Sequence, residues 1–172
     1  MEDTEQGRIP AGEGWFVLNA KDARWRQEGT GGKLTFFEGA GEQWQLGINV
    51  SVLEPGQPMA MYHYENDQED FLVLTGEPLL IVEGEERPLR PWDLVHCPPG
   101  TEHVIVGAGD GPSVLVSVGT RAGRDDWGAY TVDEAALRHE AGVEQETTES
   151  KEAYARFPPD QFTRFEEGWL PS

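Results

Sequence analysis

Two histidines and two glutamates stand at spacings from which they could do chemistry: His63, Glu65, Glu69 and His103. In the run Met61-Tyr62-His63-Tyr64-Glu65, alternate side chains of a strand share one face, so His63 and Glu65 project together. Asn66-Asp67-Gln68 reads as a turn or bulge, after which a second strand begins at Glu69. Neighbouring strands lie about 5 Å apart, close enough to bring Glu69 beside the first pair. His103 is remote in sequence and follows Pro98-Pro99-Gly100-Thr101-Glu102, where proline and glycine force a sharp turn that aims the ring. Imidazole and carboxylate groups converging in this way suit a divalent cation or acid–base work. His63 and Glu65 taken alone read better as the solvated face of a strand in an acid-rich chain; Glu69 and the Pro-Pro-Gly-x-x-His turn shift the reading towards a metal.

The stretch from Gly56 to Gly107 resembles the paired motifs of the cupin superfamily. The first motif of that family runs glycine, several residues, His-x-His, a short gap, glutamate, six residues, glycine. The second runs Gly-Asp, some residues, Pro-x-Gly-x-x-His, three residues, asparagine. His63 stands for the first histidine, Glu69 for the glutamate, Gly76 for the closing glycine and His103 for the histidine of the second motif. Asp93 and Pro98-Pro99-Gly100 match the aspartate and the Pro-x-Gly. The sequence departs from the pattern at four points. Gly56 lies one residue further from His63, Trp92 replaces the glycine before Asp93, and Gly107 stands where the asparagine would be. Glu65 replaces the second histidine of the first motif, and this change bears on the metal.

The resemblance implies an all-β fold, an antiparallel jelly-roll β-barrel, with one divalent ion held inside by His63, Glu65, Glu69 and His103. Two imidazoles and two carboxylates would leave that ion neutral, which suits zinc, iron(II) or manganese, with nickel also open. In the alternative, His63, Glu69 and His103 bind alone, and Glu65 is a catalytic base close to a bound water.

The elements that must position these residues follow from the rest of the chain. Between residues 14 and 120, short runs rich in aromatic and β-branched residues alternate with turn formers, as in Leu79–Val82, Leu94–Cys97 and Val114–Val118, separated by Gly76-Glu77-Pro78 and Pro98-Pro99-Gly100. Many short strands with regular turns predict an antiparallel sandwich or barrel over 14–120. Residues 1–13 are polar and read as a mobile arm. Residues 121–172 read as a helical C-terminal extension packed on the barrel or on a second subunit, with helices expected at Asp133–Ala141 and Glu149–Arg156.

The 172 residues fit one domain, and 32 acidic against 13 basic residues give a net charge of −19. That field repels phosphate backbones and anionic lipid, so neither nucleic acid nor a membrane is an expected partner. A lone cysteine, Cys97, allows no intrachain disulfide and suits a reducing compartment; the expected location is cytoplasmic. Cys97 is expected to be a packing residue and His96 an interior ring bonded to backbone. Of the aromatic residues Tyr62, Tyr64, Phe71, Trp44 and Trp92, one or two are expected at a pocket.

The expected ligand is a small oxygenated organic molecule reached through the metal. If the chain is an enzyme, a metal-dependent dioxygenase or isomerase is expected; the alternative is a non-catalytic binding module or a purely structural metal site. By the same resemblance a homodimer is expected, with Trp15–Leu18 as a candidate pairing edge.

Overall fold

Apolar residues at alternate positions give each strand one face to bury, and the sheets form where those faces meet. The computed structural model describes residues 1–39, 44–121 and 126–171. Its strands are β1 (Glu2–Thr4), β2 (Gly7–Ile9), β3 (Trp25–Gln27), β4 (Lys33–Phe36), β5 (Leu46–Leu53), β6 (His63–Glu65) and β7 (Glu69–Thr75). They continue as β8 (Leu79–Val82), β9 (Glu85–Pro88), β10 (Leu94–Cys97), β11 (His103–Val106), β12 (Ser113–Thr120), β13 (Gly128–Tyr130) and β14 (Gln161–Thr163). Two short helices are α1 (Glu134–Arg138) and α2 (Ser150–Ala153).

All strand pairs in the two main sheets are antiparallel. A seven-stranded sheet runs β10-β7-β12-β5-β4-β3-β14, and a five-stranded sheet runs β13-β6-β11-β8-β9. Together they make the jelly-roll barrel. Between the sheets lie Leu53, Phe71, Val73, Leu80, Val95, Cys97, Ile105 and Leu115. Each fully buried aliphatic side chain there contributes roughly 1.5–3 kcal/mol of transfer free energy. The connection from β7 to β8 turns at Gly76, whose φ of 83° is left-handed. A Cβ at that position would sit 2.6 Å from the Ser113 Cα, so only glycine fits.

The C-terminal stretch covers the outer faces. Ala135 and Ala136 of α1, with Ala141, pack on Tyr62, Ile81, Val104 and Val106 behind the five-stranded sheet. Phe165, Trp169 and Leu170 pack against the cluster of Trp25, Val50, Val52 and Val114 behind the seven-stranded one. The two helices are shorter than the sequence predicts. Asp133 caps α1 by accepting from the Ala136 N–H at 2.8 Å, and the helix is over by His139, with Glu140 in the left-handed region at φ 57°. The same stretch supplies strands that the sequence analysis does not anticipate. β13 pairs with β6 and β14 pairs with β3, each extending an edge of the barrel.

The N-terminal segment also differs from expectation. Within residues 1–13, expected as a mobile arm, β1 and β2 form a ribbon that is anchored where Arg8 N–H donates to Asp22 O at 2.8 Å. Trp15–Leu18 joins no strand; Phe16 packs edge-on against Trp44, while Trp15 and Val17 face solvent. Among the described residues no helix is long and apolar enough to cross a membrane.

Candidate metal centre

The two histidines meet because β6 and β11 are antiparallel neighbours with His63 and His103 directly opposite in register. Their ring centroids are 5.0 Å apart. The turn before β11 sets the approach. Thr101 N–H donates to Pro98 O at 3.1 Å around Pro99 and a left-handed Gly100 (φ 84°), the geometry of a type II turn. Gly100 N–H then donates to Glu65 O at 2.8 Å, which ties the turn to β6. Glu69 comes from the opposite sheet. It opens β7 between Cys97 of β10 and Gly119 of β12, and its side chain crosses the barrel towards both rings.

The protonation pattern of the rings is fixed from behind. His63 Nδ1 lies 2.7 Å from Met61 O, and His103 Nδ1 lies 3.0 Å from Thr101 O. A carbonyl oxygen only accepts, so each Nδ1 carries a proton and donates. Both Nε2 atoms therefore face inward. They stand 3.6 Å (His63) and 3.4 Å (His103) from the same carboxylate oxygen, Glu69 Oε2. That oxygen and His103 Nε2 are buried without a hydrogen-bond partner. Inward lone pairs on two rings repel a carboxylate oxygen unless a cation, a proton or a metal ion, lies between them.

The spacing fits a metal. Ligand atoms of His63, Glu69 and His103 all lie within 4.8 Å of one another. Two ligands each about 2.1 Å from one ion, at tetrahedral or octahedral angles, stand about 3.0–3.4 Å apart. The observed carboxylate–imidazole separations of 3.4 and 3.6 Å need little adjustment.

The electrostatics agree. Burial pushes the Glu69 carboxyl up, but the His103 and His63 rings beside it outweigh burial and hold its pKa at about 2. Burial pushes the His103 imidazole down, yet the Cys97 sulfur and the Glu69 carboxylate beside it raise it to about 10. Without metal, a proton holds this position.

Glu65 faces the same cavity but lies outside the group of His63, Glu69 and His103 that could hold a metal ion. Its carboxyl is pushed up, first by burial and then by the Glu69 charge. Cys97 packs in the core, as expected, and is not part of the ligand group. His96 is not an interior ring. Cys97 takes the inward direction on β10, so His96 points out and pairs with Asp70 at 2.6 Å on the outer face. His139 is at the surface beside Glu86.

His63, Glu69 and His103 open onto a cavity of about 390 Å³. Phe71 is the one aromatic candidate from the sequence that lines it; Tyr62 is buried behind the five-stranded sheet and Trp92 is exposed. Sequence reasoning missed the aromatic wall formed by Trp127, Tyr130 and Tyr154. Trp127 and Tyr130 stand 6.1 and 5.9 Å from His63, centroid to centroid. Tyr154 is held in place by accepting from the Met61 N–H at 3.1 Å. It also missed Arg26, Asn49, Ser51 and Ser117 on the seven-stranded sheet; the available signal was Asn49 and Ser51 interrupting the otherwise apolar Leu46–Leu53.

Comparisons with known proteins agree with this architecture. Residues 49–119 match the family model of the cupin domain. The structure is similar to that of a sugar phosphate isomerase of the cupin superfamily from Silicibacter pomeroyi, at 25% identity and TM-score 0.50, covering 83% of this chain and 82% of that one. It is also similar to an RmlC-like cupin from Shewanella frigidimarina, at 19% identity and TM-score 0.55, covering 65% of this chain and 96% of that one, a likeness of fold. A putative sugar phosphate isomerase from Acidithiobacillus ferrooxidans aligns at 28% identity and TM-score 0.45 over 50% of this chain; the match spans 55% of that protein's length. No curated protein sequence matches the chain.

Proposed function

The chain belongs to the cupin superfamily, and from that premise we propose that it binds one divalent metal ion on His63, Glu69 and His103 and through it takes up a small oxygenated organic molecule. One observation carries the reading: two imidazole Nε2 atoms, each fixed from behind by a backbone carbonyl, stand 3.6 and 3.4 Å from one buried carboxylate oxygen. A bound ion would supply Lewis acidity at the floor of the cavity.

We further propose proton-transfer chemistry of the isomerase type, with Glu65 as the acid–base group. Two points support it. Glu65 lines the cavity outside the three-atom ligand group, and burial beside Glu69 raises its pKa towards the range where a carboxyl both gives and accepts a proton. The likeness to the Silicibacter pomeroyi isomerase is the second.

The test is elemental analysis of protein stripped with chelator and reloaded separately with zinc, manganese, nickel and, anaerobically, iron(II). We expect one ion per chain in the wild type and in Glu65→Gln, and none in Glu69→Gln. Loss of metal in Glu65→Gln makes Glu65 a fourth ligand. A wild type that takes up no metal refutes the proposal.

A further inference from the structure

Beyond the three ligands, the cavity wall is polar in a pattern that metal binding does not use. On β5 the inward residues are Asn49 and Ser51, two apart on one face, and Asn49 faces Ser117 of β12 in register. Ser51 is 1% exposed and Ser117 is 8% exposed. Asn49 Oδ1 and Ser51 Oγ are buried without any hydrogen-bond partner, and Ser117 Oγ reaches only the Met59 sulfur at 3.8 Å. A buried polar atom left unpaired costs about 1–3 kcal/mol, so this strip is unfavourable unless something in the cavity completes it.

The charge around the strip limits what that can be. Arg26 is the only Lys or Arg among the described residues lining the cavity; its charge is paired with two carboxylates, although its Nε makes no hydrogen bond. Its Nη2 donates to Glu28 Oε1 at 2.7 Å, its Nε lies 3.3 Å from Asp160 Oδ2, and its guanidinium stacks on Phe36 at 4.6 Å. Glu28, Glu65 and Glu69 line the same cavity. Even a divalent ion leaves this wall with no surplus positive charge. A phosphate dianion would meet a single guanidinium whose charge Glu28 and Asp160 already balance, and the carboxylates of Glu28, Glu65 and Glu69 on the same wall. An apolar ligand would leave Asn49 and Ser51 unpaired. A hydroxyl group both donates and accepts, so it pairs with a serine hydroxyl and with an amide alike.

We propose that Asn49, Ser51 and Ser117 form a subsite for an uncharged, hydroxyl-rich molecule of monosaccharide size, which the cavity selects over its phosphate ester. The volume of about 390 Å³ accommodates such a ligand together with the metal below it. The inference rests on the metal-cavity reading above, and it narrows that reading against the phosphorylated substrate class named for the Silicibacter pomeroyi relative.

The test titrates metal-loaded wild-type protein with neutral aldoses and ketoses, among them mannose, fructose and xylose, and with mannose 6-phosphate and fructose 6-phosphate. Binding is read by calorimetry and by saturation-transfer NMR. The expected result is millimolar or tighter binding of at least one neutral sugar, with its phosphate ester at least about tenfold weaker, a difference of about 1.4 kcal/mol. Asn49→Ala and Ser51→Ala should each weaken the neutral sugar about threefold to tenfold, the value of one hydrogen bond, with metal content unchanged. Tighter binding of the ester, no neutral sugar bound at concentrations of about 20 mM, or unchanged affinity in both variants overturns the subsite. Metal content of the same samples separates the failures: protein that takes no metal removes the metal reading and the subsite with it, whereas protein that takes metal and no sugar removes the subsite alone.

Discussion

Glu69 reaches from the seven-stranded sheet to two histidines on the five-stranded one, so an ion held by all three ties the two walls of the barrel together. Metal loading should therefore appear as thermal stability. A ligand that binds only the folded state adds RT ln(1 + [L]/Kd), which is about 4.1 kcal/mol at a thousandfold excess over Kd. For a chain of this size about 1 kcal/mol moves Tm by about 2–4 °C, so the expected rise is about 8–16 °C between chelator-stripped and saturated protein. Differential scanning fluorimetry measures it, with zinc, manganese and nickel in air and iron(II) under anaerobic conditions. The control is Glu69→Gln, which keeps the shape of the side chain and removes the anionic ligand; its Tm should be indifferent to metal. A stripped wild type whose Tm moves by less than about 2 °C with every ion would mean that the ring geometry has another cause. So would a Glu69→Gln variant that responds as the wild type does.

Four further outcomes follow from other parts of the molecule. His103 is raised to about 10, so in metal-free protein its contribution is fully present below its unfolded value near 6.5 and is lost as pH rises through about 10. Metal needs the deprotonated ring, so the metal-induced rise in Tm should be larger at pH 9 than at pH 6; the opposite trend in melting scans would contradict the assignment. Leu115, fully buried between the sheets, should cost about 2–5 kcal/mol on change to alanine, read by urea unfolding, and a loss below about 1 kcal/mol would show that the core collapses around it. Trp92 is exposed with a left-handed φ of 75°, where an L side chain costs about 1–2 kcal/mol, so Trp92→Gly should stabilise by about 0.5–1 kcal/mol after the entropy cost of glycine, and a lower urea midpoint would contradict this. Ser51→Ala deletes a buried unpaired hydroxyl and should leave Tm unchanged or raise it by about 2–4 °C in ligand-free protein; a clear fall would mean that the hydroxyl is satisfied after all.

The sequence made the barrel legible where apolar runs were bounded by strong turn formers. Leu79–Val82 and Leu94–Cys97 are strands with the predicted bounds, because Gly76-Glu77-Pro78 and Pro98-Pro99-Gly100 stop them. The convergence of His63, Glu69 and His103 was legible through a motif rather than through periodicity, since β6 and β11 are neighbours across about forty residues of intervening chain. Strands of three residues carry no readable period, and so β13 and β14 were hidden in a stretch whose alanines and glutamates favour helix. With them went Trp127, Tyr130 and Tyr154 at the cavity wall. On β5, both faces from Val50 onward are buried, one by the core and the other by the C-terminal segment. Alternation there could not tell which face was inward, and Asn49 and Ser51 gave no direction until the sheet was in place. His96 failed for the same reason: of two adjacent residues on β10, only pairing with β7 decides which one enters the barrel.

A barrel that keeps carboxylates, serines and an asparagine on its inner wall must draw its stability from elsewhere, and the C-terminal segment supplies it. Ala135, Ala136 and Ala141 close the back of the five-stranded sheet, and Phe165, Trp169 and Leu170 close part of the back of the seven-stranded one. Apolar burial is thus moved to the outer faces of the sheets and to one end of the interior, the Leu53–Val73–Leu115 cluster. The other end is left free to hold groups that are costly to bury. The unpaired Ser51, Asn49, Glu69 and His103 atoms all lie at that free end, on the cavity. Other unpaired buried atoms, on Arg8, Thr30, Tyr62, Ser113, Thr120 and Thr131, are dispersed away from the cavity; the cluster on Arg26, Asn49, Ser51, Glu69 and His103 is set apart because all five line one 390 Å³ space that a ligand can enter.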